Sequence, residues 1–145
     1  EEFPRPGRRS KVKTVRRVAL FCEGPDGRFL LRRRPADGLL SRLWELPSAE
    51  LCEDEEAESV VRRLLPKLQG LSLSGTVEHR FSHRHWTTQV YRATAPLPSV
   101  EMTAESSSQA DELVVREDQL SGLGIPTATK KTINCALASK RSADG

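Results

Sequence analysis

One helical pattern lies between two pairs of strand patterns in this chain, and this order restricts the fold more than any other feature. Over residues 55–68, apolar side chains recur at the spacing of an α-helix, at Val60, Val61, Leu64, Leu65 and Leu68. Pro66 falls inside that pattern and predicts a kink or an early end, because proline lacks the N–H that a helix interior uses.

The flanking segments are typical of β-strands, since β-branched, aromatic and other apolar residues dominate them. They span residues 15–22, 28–34, 73–81 and 86–95, with a short fifth segment at 112–115. Glu-Gly-Pro-Asp-Gly at 23–27 predicts a hairpin turn between the first two. A last helix is predicted from Pro126-Thr127 to about Ala138. This order indicates an α+β fold, a mixed sheet flanked by helices.

The length of 145 residues fits one domain. We expect a linker at residues 1–13, which are rich in Pro, Gly and Arg, a folded domain at 14–140 and a tail at 141–145. No apolar run approaches the ~20 residues of a membrane span. We therefore expect an intracellular monomer without a membrane partner. Three cysteines without metal-ligand spacing predict unpaired thiols in a reducing compartment.

The charge is unevenly distributed. Residues 1–34 hold 11 Lys and Arg against 4 Asp and Glu, whereas the remaining residues hold 12 against 16. A basic end on a mildly acidic body indicates a polyanionic partner approached from one side. A disordered basic linker that keeps the protein soluble explains the same distribution.

Residues 79–85, His-Arg-Phe-Ser-His-Arg-His, contain all three histidines of the chain. Two arginines, one aromatic ring and one hydroxyl accompany them. This composition is typical of an exposed loop that contacts a polar, partly anionic ligand, although a strand end with solvated charges would look similar. The histidines have no carboxylate or thiol at suitable spacing, so no metal site is predicted.

Residues 49–71 partly follow the pattern of Nudix hydrolases, G-x5-E-x7-R-E-U-x-E-E-x-G-U, where U is a bulky aliphatic residue. Matching positions are Glu55, Arg63, Leu65, Gly70 and Leu71. Ala49 replaces the first glycine, and Leu64, Lys67 and Leu68 stand where the pattern has glutamates. Mg²⁺ requires several oxygen ligands, which these residues do not supply. We therefore predict no catalytic residues, no metal-dependent pyrophosphate hydrolysis, and a Glu55 that faces solvent.

Three segments resemble the C-terminal, Nudix-like domain of adenine DNA glycosylases of the MutY family. Residues 33–47 resemble its R-P-x-x-G-L-L-x-x-L-W-E-F-P segment, residues 79–83 its H-x-F-[ST]-H loop, and residues 125–131 its L-P-x-x-x-x-K-K segment. Two departures are Trp86, where an aliphatic residue is expected, and residues 112–115, which lack the usual tryptophan.

The resemblance implies that an N-terminal domain with a [4Fe–4S] cluster, outside these residues, cleaves the glycosidic bond. The present domain would bind duplex DNA and recognise 8-oxoguanine paired with adenine, in a nucleoid, nucleus or mitochondrion. It would have no cofactor and no enzymatic activity of its own. The alternatives are a metal-dependent Nudix nucleotide hydrolase and a Nudix-like scaffold for protein contacts.

Oxidation of guanine at C8 adds a carbonyl and turns N7 from an acceptor into an N–H donor. The Ser82 hydroxyl suits this lesion because it can accept from N7–H and donate to O8. Phe81 would either wedge beside the base step or anchor the loop, and His83 would contact a phosphate or hold the loop shape. Phosphate contacts are predicted for Arg80, Arg84, Arg32, Arg33, Arg34, Lys130 and Lys131.

Overall fold

The computed structural model describes residues 13–24, 26–34, 43–65, 67–81, 83–97 and 111–144, with side chains through residue 141. The strands are β1 (Lys13–Glu23), β2 (Phe29–Arg33), β3 (Trp44–Glu45), β4 (Ser48–Glu50), β5 (Gln69–Arg80), β6 (Arg84–Thr94) and β7 (Glu112–Val115). The helices are α1 (Ala57–Leu64), a 3₁₀ helix (Glu117–Gly122) and α2 (Thr127–Asp144). Neither of the two α-helices is long and apolar enough to cross a membrane in the part of the chain described.

The seven described strands form one mixed sheet. Its main path is β3-β2-β1-β6-β5, while β4 pairs with β1 and β7 pairs with β2. β1 and β6 are parallel from Lys13 opposite Arg84 to Glu23 opposite Thr94, and β5 runs antiparallel to β6. The predicted α+β class and the mixed sheet are confirmed.

Apolar cores lie on both faces of this sheet. Phe21, Phe29 and Leu31 pack with Ile133 of α2 on one face. On the other face, Val18 and Leu20 pack with the buried Val60 and Val61 of α1. β1 is buried on both faces because it is a central strand, which explains its continuous apolar run. The layers are therefore helix, sheet, helix.

The helix boundaries differ from the prediction. α1 ends at Leu64 rather than at residue 68, and Leu65 is extended, with φ −154° and ψ 136°. This early end follows from Pro66, since a residue before proline disfavours the helical conformation. α2 continues to Asp144, beyond the predicted end near Ala138. The sequence patterns did not predict β3, β4 or the 3₁₀ helix.

Candidate functional site

The predicted recognition segment lies where β5 turns into β6. Phe81 N–H donates to the carbonyl of Arg84 over 2.7 Å, and Lys13 N–H donates to the carbonyl of His83 over 3.0 Å. These bonds tie Phe81 to the start of β6 and His83 to the start of β1. Ser82, the residue predicted to contact the lesion, lies outside the described residues.

Three rings form a row beneath this loop. His79 and Phe81 meet edge-on with ring centres 4.6 Å apart, and Phe81 meets Trp86 edge-on at 4.9 Å. Phe81 is half-buried and also packs against the cluster of Val15 and Ala128. These contacts favour the anchoring alternative for Phe81. Burial, followed by the charge of Lys131, lowers the pKa of His79, which favours a neutral imidazole at neutral pH.

Next to this row of rings, toward β3, lies a buried group of two arginines and one glutamate. Arg17 lies over Trp86 with its guanidinium carbon 4.1 Å from the ring centre, and Arg34 lies over the same ring at 5.2 Å. Glu45 Oε1 is 3.1 Å from Arg34 and 3.6 Å from Arg17. Burial lowers the pKa of Arg17, while Glu45 acts in the opposite direction. An arginine remains charged in proteins, so this is a buried cation cluster around one carboxylate.

Exposed cations surround the loop. Lys13 and Arg84 are paired across β1 and β6, and Arg80 ends β5. All three are exposed, as is His83. Lys131 of α2 is also exposed, and its Nζ lies 3.4 Å from the carbonyl oxygen of Glu78 near the same end of the sheet. Lys13, Arg84 and Lys131 therefore bring positive charge to the α2 face at this end of the sheet, while Arg80, which alternates with His79 along β5, starts from the opposite face. We call Lys13, Arg84 and Lys131, with Arg80 at the same end of the sheet, the loop cation surface.

The other predicted phosphate contacts are engaged within the protein or lie elsewhere. Arg32 pairs with Glu112 at 2.7 Å, and Arg33 lies over the Trp44 ring at 4.2 Å. Arg34 belongs to the buried group described above. Lys130 lines a groove between the 3₁₀ helix and α2. DNA contacts by these four residues stay predictions.

Sequence reasoning missed Arg17 and Lys13 as members of this region. Arg17 sits inside the apolar run of β1, and a charge in such a run was the available signal, because arginine is almost never fully buried without a partner. Lys13 carried no signal of its own, since only the parallel pairing of β1 with β6 brings it beside Arg84.

The segment that resembles the Nudix pattern lies on the opposite helical layer. Glu55 precedes α1 and is held in place rather than freely solvated: it accepts from Cys52 N–H over 2.8 Å and from Arg63 over 2.7 Å. These bonds, the backbone bond first, lower the Glu55 pKa to about 2. Leu64 and Leu68 pack against the α1-side core. Of the carboxylate positions in the pattern, this segment keeps only Glu55, which alone does not fit a magnesium ion. No metal-binding group of three or more His, Cys, Asp or Glu side chains occurs among the described residues.

Solved structures of several proteins share this fold. The C-terminal domain of mouse MUTYH, solved in complex with human PCNA, aligns with a TM-score of 0.64 and 24% identity over 88% of this chain and 90% of that one. A MutT protein from Methanosarcina mazei Go1 aligns with a TM-score of 0.68 and 17% identity over 92% and 97%. A Nudix hydrolase from Nitrosomonas europaea aligns with a TM-score of 0.63 and 15% identity over 88% of this chain and 91% of that one. At these identities the likeness shows the fold.

These findings contradict the prediction that the domain has no enzymatic activity. The sequence model of the NUDIX domain family matches residues 18–135, and the similar structures include a MutT protein and Nudix hydrolases. The prediction relied on the missing glutamates of one segment. Carboxylates for a reaction can come from other positions of a fold, so the missing glutamates of the pattern do not exclude hydrolysis. Because the match covers most of its length, the chain belongs to the NUDIX domain family.

Proposed function

We propose that this domain recognises 8-oxoguanine paired with adenine in duplex DNA, as a part of an adenine DNA glycosylase of the MutY family. The observation that carries the proposal is the loop cation surface. It lies beside Phe81, which packs against the core, and exposed His83. Exposed cations next to this segment suit a ligand whose phosphates contact the cations and whose base contacts the segment between β5 and β6.

The cations and the loop have different roles in this proposal. Contacts from Lys and Arg to phosphates fix the register and orientation of a protein on DNA without reading sequence. Base recognition then falls to the loop. The Ser82 hydroxyl offers both an acceptor for N7–H and a donor for O8, the two atoms that oxidation changes. His83, the next residue, is exposed, and its imidazole N–H supplies a further donor.

The likeness to the C-terminal domain of mouse MUTYH supports this assignment, together with the three sequence segments that resemble the family. We propose accordingly that duplex DNA is the ligand of the loop cation surface. The [4Fe–4S] cluster and the glycosidic cleavage would belong to another domain of the same polypeptide.

The proposal is tested by the salt dependence of DNA binding. For each phosphate neutralised, the slope of log association constant against log salt is about −0.9. Fluorescence anisotropy with a labelled duplex containing 8-oxoguanine opposite adenine should give a steep negative slope and a higher affinity than the undamaged duplex. Equal affinities for the two duplexes at every salt concentration would contradict the proposal.

Nucleotide hydrolysis is the second candidate function, and the family match favours it. Its substrate class would be nucleoside diphosphates linked to another group, or nucleoside triphosphates. The test is release of phosphate or pyrophosphate from 8-oxo-dGTP with millimolar Mg²⁺. Turnover that exceeds a protein-free blank and is lost on heat denaturation supports it, whereas turnover equal to the blank contradicts it.

A further inference from the structure

A small cavity lies beneath the row of rings, between the sheet and the first turn of α2. Its lining includes the side chains of Arg17, Glu45, His79, Trp86, Thr88 and Thr129. The cavity volume is about 10 Å³, which is room for roughly one water-sized particle. It is therefore too small for a nucleotide or for a whole phosphate group.

Arg17 faces this cavity with an unused donor. Its side chain is only 8% exposed, and its Nε has no hydrogen-bond partner among the described residues. Its carboxylate partner, Glu45, is 3.6 Å away and lies closer to Arg34. The guanidinium face rests on Trp86, and a ring face supplies no strong acceptor. A buried N–H of a charged group without an acceptor costs stability, so this geometry calls for an acceptor in the cavity.

Two further features of the cavity favour negative charge. The first turn of α2 contributes Ala128 and Thr129 to the lining, and the start of a helix carries the positive end of its dipole. His79 Nδ1 is the second buried atom of the lining that lacks a partner among the described residues. In the tautomer with the proton on Nδ1, His79 is a second donor in the lining without an acceptor among the described residues.

We propose that this cavity binds one monatomic anion of the halide class, chloride or bromide, with Arg17 Nε–H and His79 Nδ1–H as donors. A water molecule would accept the same hydrogen bonds but carries no charge. The positive charge of Arg17 would then be balanced only by Glu45, a carboxylate that also pairs with Arg34. The contacts that support this site do not depend on the proposed recognition of DNA. An anion that binds only the folded protein raises its free energy of unfolding by RT ln(1 + [anion]/Kd), so stability increases with anion concentration.

The test titrates the 145-residue chain with sodium chloride in exchange for sodium gluconate at constant ionic strength. Gluconate is too large for the cavity. We expect the Nε–H resonance of Arg17 to shift along a saturating curve, and the unfolding temperature to rise over the same chloride range. Bromide should act like chloride, and sulfate should act like gluconate. A linear shift without saturation, or equal effects of all four anions, would show that the cavity holds only water.

Arg33 provides a matched control, since it lies over Trp44 at 4.2 Å much as Arg17 lies over Trp86 but does not line the cavity. Arg17→Lys keeps the positive charge and removes the Nε–H, so the chloride-dependent rise in unfolding temperature should disappear. Arg33→Lys should retain it. If Arg17→Lys does not fold, the anion series on the unaltered chain still decides the outcome. If Arg17→Lys folds and its unfolding temperature still rises with chloride, the proposal is overturned.

Discussion

Arg17 lies over Trp86, with its guanidinium carbon 4.1 Å from the ring centre. The same ring meets Phe81 in an edge-to-face contact with ring centres 4.9 Å apart. Trp86 therefore connects a buried cation of β1 to the loop. This contact gives a physical reason for a tryptophan at a position where the family resemblance leads us to expect an aliphatic residue, because an aliphatic side chain has no π-face for the arginine.

A double-mutant cycle should detect this pair. Arg17→Met and Trp86→Leu each remove the cation–π contact, so the double variant should be less destabilised than the sum of the single variants. We expect a coupling free energy of about 2 kcal/mol, the value for a desolvated pair. Urea unfolding of the four proteins measures it. Additive effects would mean that the stacking contributes nothing beyond packing.

Arg80 and Arg84 should contribute to affinity rather than to lesion preference. Each is exposed next to the loop, and a lost phosphate contact weakens binding to all duplexes alike. Arg80→Ala and Arg84→Ala should each reduce the salt slope by about 1 and leave the ratio of lesion to undamaged affinity unchanged. Arg62→Ala, on the exposed side of α1, is the control and should bind like the unaltered chain. Anisotropy titrations at several salt concentrations provide both quantities.

Glu55 should make stability depend on acid pH. Its pKa is about 2 in the folded chain against an ordinary 4.5, so its carboxylate stabilises the fold above about pH 4.5 and this contribution is lost as pH falls toward 2. Glu55→Gln should therefore show a weaker fall in the free energy of unfolding across that window. Arg63→Met should resemble the unaltered chain more closely, because the bond from Cys52 N–H, the larger cause, remains. Identical pH profiles for all three would contradict the assignment.

Cys52 should be the first thiol to react, yet more slowly than an unperturbed cysteine. It is exposed, whereas Cys22 is buried and its pKa is raised to about 11 by that burial. A hydrogen bond with Glu55, followed by the charge of that carboxylate, raises the Cys52 pKa. Since the thiolate is the nucleophile, Glu55→Gln should accelerate alkylation of Cys52 at neutral pH. Glu58→Gln removes a carboxylate of α1 that pairs with Arg62 instead and should not accelerate it, as mass spectrometry after iodoacetamide treatment can verify.

The sequence predicted the elements that local patterns determine, but it did not predict those that depend on pairing between strands. β7 was predicted with its observed bounds because three consecutive apolar residues, Leu113 to Val115, follow Glu112, and the end of α1 followed from Pro66. β3 and β4 have two and three residues, too few for any period, and exist because β2 and β1 pair with them.

The candidate site shows the same division. The loop with Phe81 and His83 was visible as an unusual composition. The burial of Arg17 was not, because Glu45 and Trp86 are distant from it in sequence and only the folded sheet brings them together. The prediction of no enzymatic activity was wrong for a related reason. It considered only the pattern in residues 49–71, whereas the match to the NUDIX domain family extends over residues 18–135.

The most direct measurement of the central claim is the ratio of dissociation constants for a duplex with guanine opposite adenine and one with 8-oxoguanine opposite adenine. At low salt, the unaltered chain should bind the lesion duplex more tightly by at least about 1 kcal/mol, roughly fivefold, the lower range for a good base contact. Ser82→Ala should bring the ratio close to one while the unfolding temperature stays the same. A ratio near one for the unaltered chain would contradict lesion recognition by this domain.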